Sequence, residues 1–504
     1  MLKSLYQGVI YFFILVCLNI GVKAQNYVSS SNALNRQIQS LRDDPEMKNA
    51  SWGLWIKEVN TEQPLASVNE NLSVVPASTQ KIIPTATALL MFGKDFKYQT
   101  FLEYSGEVDR KGVLRGNLYI KGSGDPTFGS AAMSDSLALP KVLAFFTDAL
   151  KEMGIKSISG HIIADETVFD DEMVPRKWLW EDIGNYFGAG SSGLTLNENE
   201  YTVFFEAGPS EGSPAKVMRT EPVVPQMRFV NQVTTGPRSS GDQVYIFGAP
   251  FQDERILTGT VPLGSRDFPV RGSLPDPPLF FAHALKDHLA GNRIEVKGKP
   301  FSMRTAKISN IATSNDRKLI AVWNSPPLSE IVERTNMISV NTYAENLVKT
   351  IGYQINGEGT LEAGLEAVKE FWEEKGLEWN GIKLHDGSGL SPSNRLTVKH
   401  LGQILAFVAE SSEFEPLHKS LPKAGYSGSI ARQFRGTPSE GVLRAKSGFL
   451  SNVRAYAGYT SLANGNTAVF AFIINDYHGS PASMRNKMVL LMDAITRHPG
   501  TANQ

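Results

Sequence analysis

Cysteine is all but missing from this chain. There is one, Cys17, inside an N-terminal apolar stretch. With that stretch removed, the chain has no disulfide, no thiol nucleophile and no cysteine metal site. An excess of charge of either sign is missing too. Lys and Arg number 50 against 51 Asp and Glu, a formal net charge of −1. No concentrated basic stripe stands out, so nothing supports nucleic-acid binding. Past the N-terminus no apolar run is long enough to span a bilayer. Histidine forms no ligand pattern: His283 and His288 are five apart, a poor spacing for one helix face. No phosphate-binding loop of the form G-x-x-x-x-G-K occurs.

What is present describes an exported globular protein. Hydrophobic residues make up 41% and charged residues 20% of 504 positions, which suits an ordinary soluble chain of two to four domains. Lys3 precedes the apolar run Val9-Ile10-Tyr11-Phe12-Phe13-Ile14-Leu15-Val16-Cys17-Leu18, and Val22-Lys23-Ala24 precedes Gln25. A charged start, an apolar middle and a small-residue cleavage site read as a signal peptide over residues 1–24, with an uncleaved anchor as the alternative. Val16 is bulky where a lipoprotein signal has a small residue before its cysteine. The expected location is periplasmic or secreted.

The chain order indicates an α+β protein. Leu34, Ile38 and Leu41 mark a helix, Ser51 to Ile56 a strand, and Asn60-Thr61-Glu62 a turn. From residue 98 to 311 short strands dominate, among them Gly116–Ile120, Gly160–Ala164, Tyr201–Phe205 and Gln243–Phe247. One helix stands out there, between Leu137 and Met153, and a smaller β-rich unit nests at about 208–278. From residue 312 to 504 helices return, with stripes at Ile331 and Val332 and at Tyr343, Leu347 and Ile351, and a further helix from Leu361 to Trp372. Strands around Tyr456 and Phe470 flank Asn464-Gly465, a hairpin signal. A last helix presents Met484, Met488, Leu491 and Ile495 on one face.

Within that frame, Pro76-Ala77-Ser78-Thr79-Gln80-Lys81 carries chemistry. Placed on the first turn of a helix, Ser78 and Lys81 share a face. A serine hydroxyl becomes a nucleophile when a base takes its proton, and a lysine is that base when burial or a nearby cation lowers its pKa. S-x-x-K is a signature of serine acyl-enzymes. Pro84 should kink the helix about two turns in. Two more matches, Ser213–Lys216 and Ser420–Lys423, each hold a proline between the fixed positions, which disfavours a helix there. Gly208-Pro209-Ser210-Glu211-Gly212 fits G-x-S-x-G, but it lies in a Pro/Gly loop and not at a strand–helix elbow.

Two further motifs follow in order. Ser339-Val340-Asn341 lies where one predicted helix hands over to the next, and puts a hydroxyl and a carboxamide in a loop. Ser67-Val68-Asn69 matches the same pattern. Lys446-Ser447-Gly448 opens a strand before the final hairpin, and no other K-[ST]-G occurs. Its lysine offers fixed charge, Ser447 a hydrogen bond to a carboxylate, and Gly448 room for close backbone approach.

The three motifs in this order resemble the D-alanyl-D-alanine carboxypeptidase/endopeptidase family, the low-molecular-mass class C penicillin-binding proteins. Matching segments extend over most of the mature chain. They include Lys121-Gly122-Ser123-Gly124-Asp125-Pro126-Thr127, Leu194-Thr195-Leu196-Asn197-Glu198-Asn199, Ala344-Glu345-Asn346-Leu347, Asp386-Gly387-Ser388-Gly389-Leu390-Ser391 and Ser420-Leu421-Pro422-Lys423-Ala424-Gly425. Two departures stand out: Val340 where the middle motif usually has a polar residue, and Ser447 where many relatives have Thr.

The resemblance implies a transpeptidase-like domain, an antiparallel sheet flanked by helices, split into residues 25–97 and 312–504 by an insertion at 98–311 that forms one or two extra domains. It implies a serine peptidase acting on peptidoglycan stem peptides and acylated by β-lactam antibiotics, with no metal or cofactor. Ser78 would be the nucleophile and Lys81 its base, kept neutral partly by Lys446. Ser339 would pass a proton to the leaving amine, and Asn341 would orient Lys81 and the substrate amide. Backbone N–H groups of Ser78 and Phe449 would hold the oxyanion, and Lys446 and Ser447 a carboxylate. Asp165 would meet the amino group of a peptidoglycan diamino acid. A β-lactamase or serine esterase on the same catalytic domain is the enzyme alternative. An inactive wall-binding scaffold is the non-enzyme one.

Overall fold

The computed structural model describes residues 32–224 and 226–501; the expected signal peptide lies outside them. A five-stranded antiparallel sheet joins the two ends of the chain. Its order is Ala66–Val68, Ser51–Glu58, Thr467–Asn475, Val453–Ser461, Arg444–Leu450. Ser51–Glu58 pairs along its whole length with Thr467–Asn475, from Ser51 opposite Asn475 to Glu58 opposite Ala468.

The central strand Thr467–Asn475 is apolar almost throughout because both faces of the sheet are covered. Side chains alternate across a strand. Phe470, Phe472 and Ile474 pack with Leu34, Ile38 and Leu41 of helix Asn32–Arg42 and with Met484, Met488 and Leu491 of helix Pro481–Thr496. Val469, Ala471 and Ile473 face the other way, onto Ile82, Ile83, Leu89, Leu401 and Leu405. That second face carries helices Ile82–Phe92 and Val398–Ala409.

A separate core has its buried residues between Leu102 and Val296, with Ile320, Ala321 and Trp323 packed against it. Its main sheet has the order Pro300–Ser302, Ile162–Asp165, Leu118–Lys121, Gln99–Tyr104, Lys318–Asn324. The last strand pairs with Gln99–Tyr104, so the chain stays in this sheet past residue 311. Phe128, Phe146 and Phe281 meet at centroid distances of 5.1 and 6.3 Å and seat two helices, Leu139–Glu152 and Pro277–Gly291. The second of these helices is absent from the sequence reading, which ends a β-rich unit at about residue 278. It is buried around much of its circumference, so its sequence shows no single apolar stripe. The Asp276 carboxylate caps it by accepting the Leu279 N–H at 3.0 Å.

Ser78 does not open an α-helix. Ala77–Lys81 is a 3-10 turn, and the α-helix begins at Ile82. Pro84 therefore falls in the first helical turn, where a missing N–H costs little, and the expected mid-helix kink is replaced by this 3-10-to-α junction.

Candidate active site

The nucleophile turn is entered through Ala77, whose φ of 47 is unusual for a residue with a Cβ. The Thr79 hydroxyl donates to the Pro76 carbonyl at 2.7 Å and closes the turn. Ser78 is half-buried, and Lys81 behind it has no exposed surface. Lys81 Nζ meets three oxygens: Ser78 Oγ at 3.1 Å, Asn341 Oδ1 at 2.6 Å and the Ser388 carbonyl at 2.8 Å. The last two accept only, so a neutral amine would donate to both and turn its lone pair to the Ser78 hydroxyl. Burial pulls the Lys81 pKa down to about 7, against the opposing charges of Asp386 and Glu345.

Ser339 and Asn341 arrive from the junction between helices Leu328–Met337 and Asn341–Asn356. Ser339 takes a φ of 67, a left-handed conformation that the surrounding packing must hold. Its hydroxyl accepts from Lys446 Nζ at 2.9 Å. Asn341 is oriented from both ends, because its Nδ2 donates to the Phe187 carbonyl at 2.7 Å while its Oδ1 takes Lys81. The neighbouring Thr342 hydroxyl donates to the Ala189 carbonyl at 2.9 Å. Loop 187–189 of the intervening region thus fixes the Asn341 amide. Val340 packs against the apolar core, so the departure at this motif position lies off the polar face of the site.

Lys446 sits on Arg444–Leu450, the edge strand of the sheet, fully buried with its Nζ also on the Ser447 carbonyl at 2.9 Å. Burial lowers its pKa well below the usual lysine range, and the charge of Lys81 lowers it further. Two ammoniums in this pocket oppose each other's protonation. Gly448 allows the strand to press on the nucleophile turn: a Cβ there would stand 2.9 Å from the Pro76 carbonyl oxygen and 3.1 Å from the Ser78 nitrogen. Ser447 Oγ lies 2.6 Å from Ser429 Oγ. The Phe449 side chain points outward, with the Arg454 guanidinium 3.7 Å from its ring centroid. An edge strand leaves backbone groups unpaired on its outer side, where an extended peptide can add.

The floor of the site is a loop whose role no sequence pattern displays. Asp386 to Ser391 runs beneath Lys81. The Asp386 carboxylate accepts from Gln80 Nε2, Trp178 Nε1 and Asn394 Nδ2 and from the N–H groups of Gly389 and Ser391, at 2.6 to 2.9 Å. Glu345, on the same helix as Asn341, accepts the N–H groups of Gly387 and Ser388 at 2.9 and 2.8 Å. Burial, and then the charge of Asp386, raise the Glu345 pKa to about 7. Both residues lie in quoted motif segments, but their role runs through backbone groups that a pattern does not display.

The structure brings Ser78, Lys81, Ser339, Asn341, Lys446, Ser447, Gly448 and the Phe449 backbone into one site. Asp165 is held elsewhere. It ends strand Ile162–Asp165 with Oδ2 on Arg317 at 2.6 Å, and Oδ1 accepts from the Thr167 N–H and hydroxyl. The carboxylate expected to meet a substrate amine is paired here with a buried guanidinium. The second S-x-x-K serine, Ser420, is also engaged: it is buried, donates to the Leu417 carbonyl at 2.7 Å and accepts from Asn336 at 2.9 Å. Among the described residues no group of three or more His, Cys, Asp or Glu is arranged to hold a metal, and no helix is long and apolar enough to cross a membrane.

Known proteins resemble this chain over most of its length. It is 29% identical over 464 residues to a D-alanyl-D-alanine carboxypeptidase of Actinomadura sp. (strain R39), covering 90% of this chain and 82% of that one. It is 24% identical over 453 residues to the D-alanyl-D-alanine carboxypeptidase DacB of Haemophilus influenzae, covering 89% and 90%. The crystal structure of penicillin binding protein 4 from H. influenzae superposes with a TM-score of 0.77 at 23% identity, over 91% of this chain and 97% of that one. The family profile described as D-Ala-D-Ala carboxypeptidase 3 (S13) matches residues 34–495, and the chain belongs to that family.

Proposed function

We propose that this protein is a serine peptidase that cleaves D-alanyl-D-alanine-type bonds of peptidoglycan stem peptides through an acyl-enzyme on Ser78. The observation that carries the assignment is Lys81 Nζ, buried and within hydrogen-bond reach of Ser78 Oγ and Asn341 Oδ1. In its neutral form Lys81 takes the Ser78 proton as Oγ attacks the scissile carbonyl. The developing oxyanion meets the backbone N–H groups of Ser78 and Phe449, which Gly448 allows to converge. Ser339, beside Lys446, gives its proton to the leaving amine as the C–N bond breaks, and recovers one through Lys446 and Lys81. Water, deprotonated by Lys81, then opens the ester and frees Ser78. Lys446 and Ser447 hold the carboxylate of the leaving residue, or that of a penicillin, which enters as a substrate mimic.

A wall substrate places the protein outside the cytoplasmic membrane, in keeping with the signal-like N-terminus. A catalytically inactive scaffold has no need of a buried, depressed-pKa lysine beside a serine. The test is release of D-alanine from a pentapeptide by wild type and by Ser78→Ala. Release by wild type and none by the variant supports the assignment. Equal release by both contradicts it.

A further inference from the structure

Next to Ser447 lies a pocket of about 650 Å³ whose lining includes Ser429, Arg432, Gln433, Arg435 and Arg485. Ser429 joins the two regions through its 2.6 Å contact with Ser447. Gln433 stiffens the wall, donating to the Ser429 carbonyl at 3.3 Å and accepting from the Tyr456 hydroxyl at 2.8 Å. The charge in this pocket is of one sign. Several arginines elsewhere find carboxylates: Arg176 with Glu172, Arg271 with Glu200, Arg317 with Asp165, Arg334 with Glu198. Among the described residues none of Arg432, Arg435 and Arg485 forms such a pair. The acids that helix Pro481–Thr496 meets nearby, Asp44 and Glu46, are taken by Lys487. A fourth guanidinium, Arg454, lies over Phe449, and its pKa is lowered by burial and by the charge of Arg485.

Like charges gathered in a concavity without counter-ions repel one another, and an anionic ligand relieves that repulsion. Arginine forks suit carboxylates in particular. The position of the pocket identifies the ligand. If Ser447 holds the carboxylate of the leaving residue, the space past it receives whatever else the leaving amine carries. A free terminal D-alanine carries nothing further. The second peptide of a cross-link carries the rest of an acidic stem.

We propose that Arg432, Arg435 and Arg485 form an acceptor-side subsite that binds carboxylates of the second stem peptide, making cross-linked peptides the favoured substrates over single pentapeptides. This rests on the functional reading above. The bond cleaved is the same D-alanyl amide, and the proton from Ser339 goes to the side-chain amine of the departing stem.

The test compares kcat/KM for a purified cross-linked dimer muropeptide and for a monomeric pentapeptide, in wild type and in the triple variant R432Q/R435Q/R485Q. The ratio of dimer to pentapeptide cleavage falls about tenfold or more in the variant, chiefly through KM for the dimer, as loss of complementary charge at a binding surface does. Raising salt from about 0.1 M to about 1 M, which shortens the screening length from about 10 to about 3 Å, lowers the ratio in wild type and leaves it flat in the variant. An unchanged ratio in the variant overturns the subsite, and so does an equal loss on both substrates. Should the triple variant fail to take up penicillin and so prove misfolded, R432Q alone, on an exposed position, gives the same reading with a drop of about threefold. Wild type that neither cleaves these peptides nor is acylated by penicillin overturns the functional reading; acylated wild type with an unmoved ratio overturns this inference alone.

Discussion

Glu345 supports Lys81 through a single residue: it accepts the N–H groups of Gly387 and Ser388, and the carbonyl of that Ser388 accepts from Lys81 Nζ at 2.8 Å. The carboxylate both shapes the floor and raises the lysine pKa by its charge, with Asp386 doing the same. Glu345→Gln removes, at nearly constant shape, the negative charge that this partly protonated carboxyl still carries near pH 7. The Lys81 pKa falls, so the amine is free at lower pH. The acid limb of the penicillin acylation profile should move down by about half a unit or more, with a lower plateau because one amide N–H loses its acceptor. An unmoved limb would show that Glu345 does not set the charge of Lys81.

Wild-type acylation should itself follow the lysine. The base acts when neutral, and its pKa is about 7. The second-order rate with penicillin should rise as pH increases through about 7 and level off above it. A rate already flat well below that pH would mean that the proton goes elsewhere.

Gly448→Ala puts a Cβ 2.9 Å from the Pro76 carbonyl oxygen and 3.1 Å from the Ser78 nitrogen. The edge strand has only one neighbour and can yield outward, so folding survives while the two backbone N–H groups diverge. A displacement approaching 1 Å costs catalysis on the order of 10²-fold. Acylation rate and melting temperature measured together separate this from simple destabilisation.

Arg317→Ala leaves Asp165 buried without its cation. Side-chain exposure of the pair is 9% and 4%, so breaking it should cost about 3–5 kcal/mol of stability. Denaturant unfolding reads the loss. Penicillin acylation of the remaining folded protein should stay near wild type, since neither residue touches the site. Selective loss of cleavage of a diamino-acid-containing peptide, with penicillin acylation unchanged, would favour the substrate role expected of Asp165.

The sequence displays some parts of this site and hides others for a physical reason. Ser78, Lys81, Ser339, Asn341 and Lys446 are proposed to act through side chains that fall in short motifs in a fixed order, and so can be read directly. Lys81 also depends on the Ser388 carbonyl, a group every residue carries, so no pattern marks it. Asp165 shows the converse: a strand-end carboxylate announces its chemistry but not its partner, and Arg317 reaches it from a distant strand end. In the fold, the alternation of Thr467–Asn475 is masked because both faces are buried, whereas the amphipathic helix Pro481–Thr496 is plain. The 3-10 turn at Ala77–Lys81 and the α-helix expected there bring serine and lysine together alike, so the motif alone does not distinguish them.

The central claim is that Ser78 is the nucleophile, and intact-mass spectrometry of the folded protein with excess penicillin, followed over time and then by peptide mapping, tests it most directly. One long-lived penicilloyl adduct is expected on the peptide containing Ser78, absent from Ser78→Ala. An adduct on another serine, or none from folded protein, would contradict it; an adduct on Ser78 lost within seconds would mark a β-lactamase.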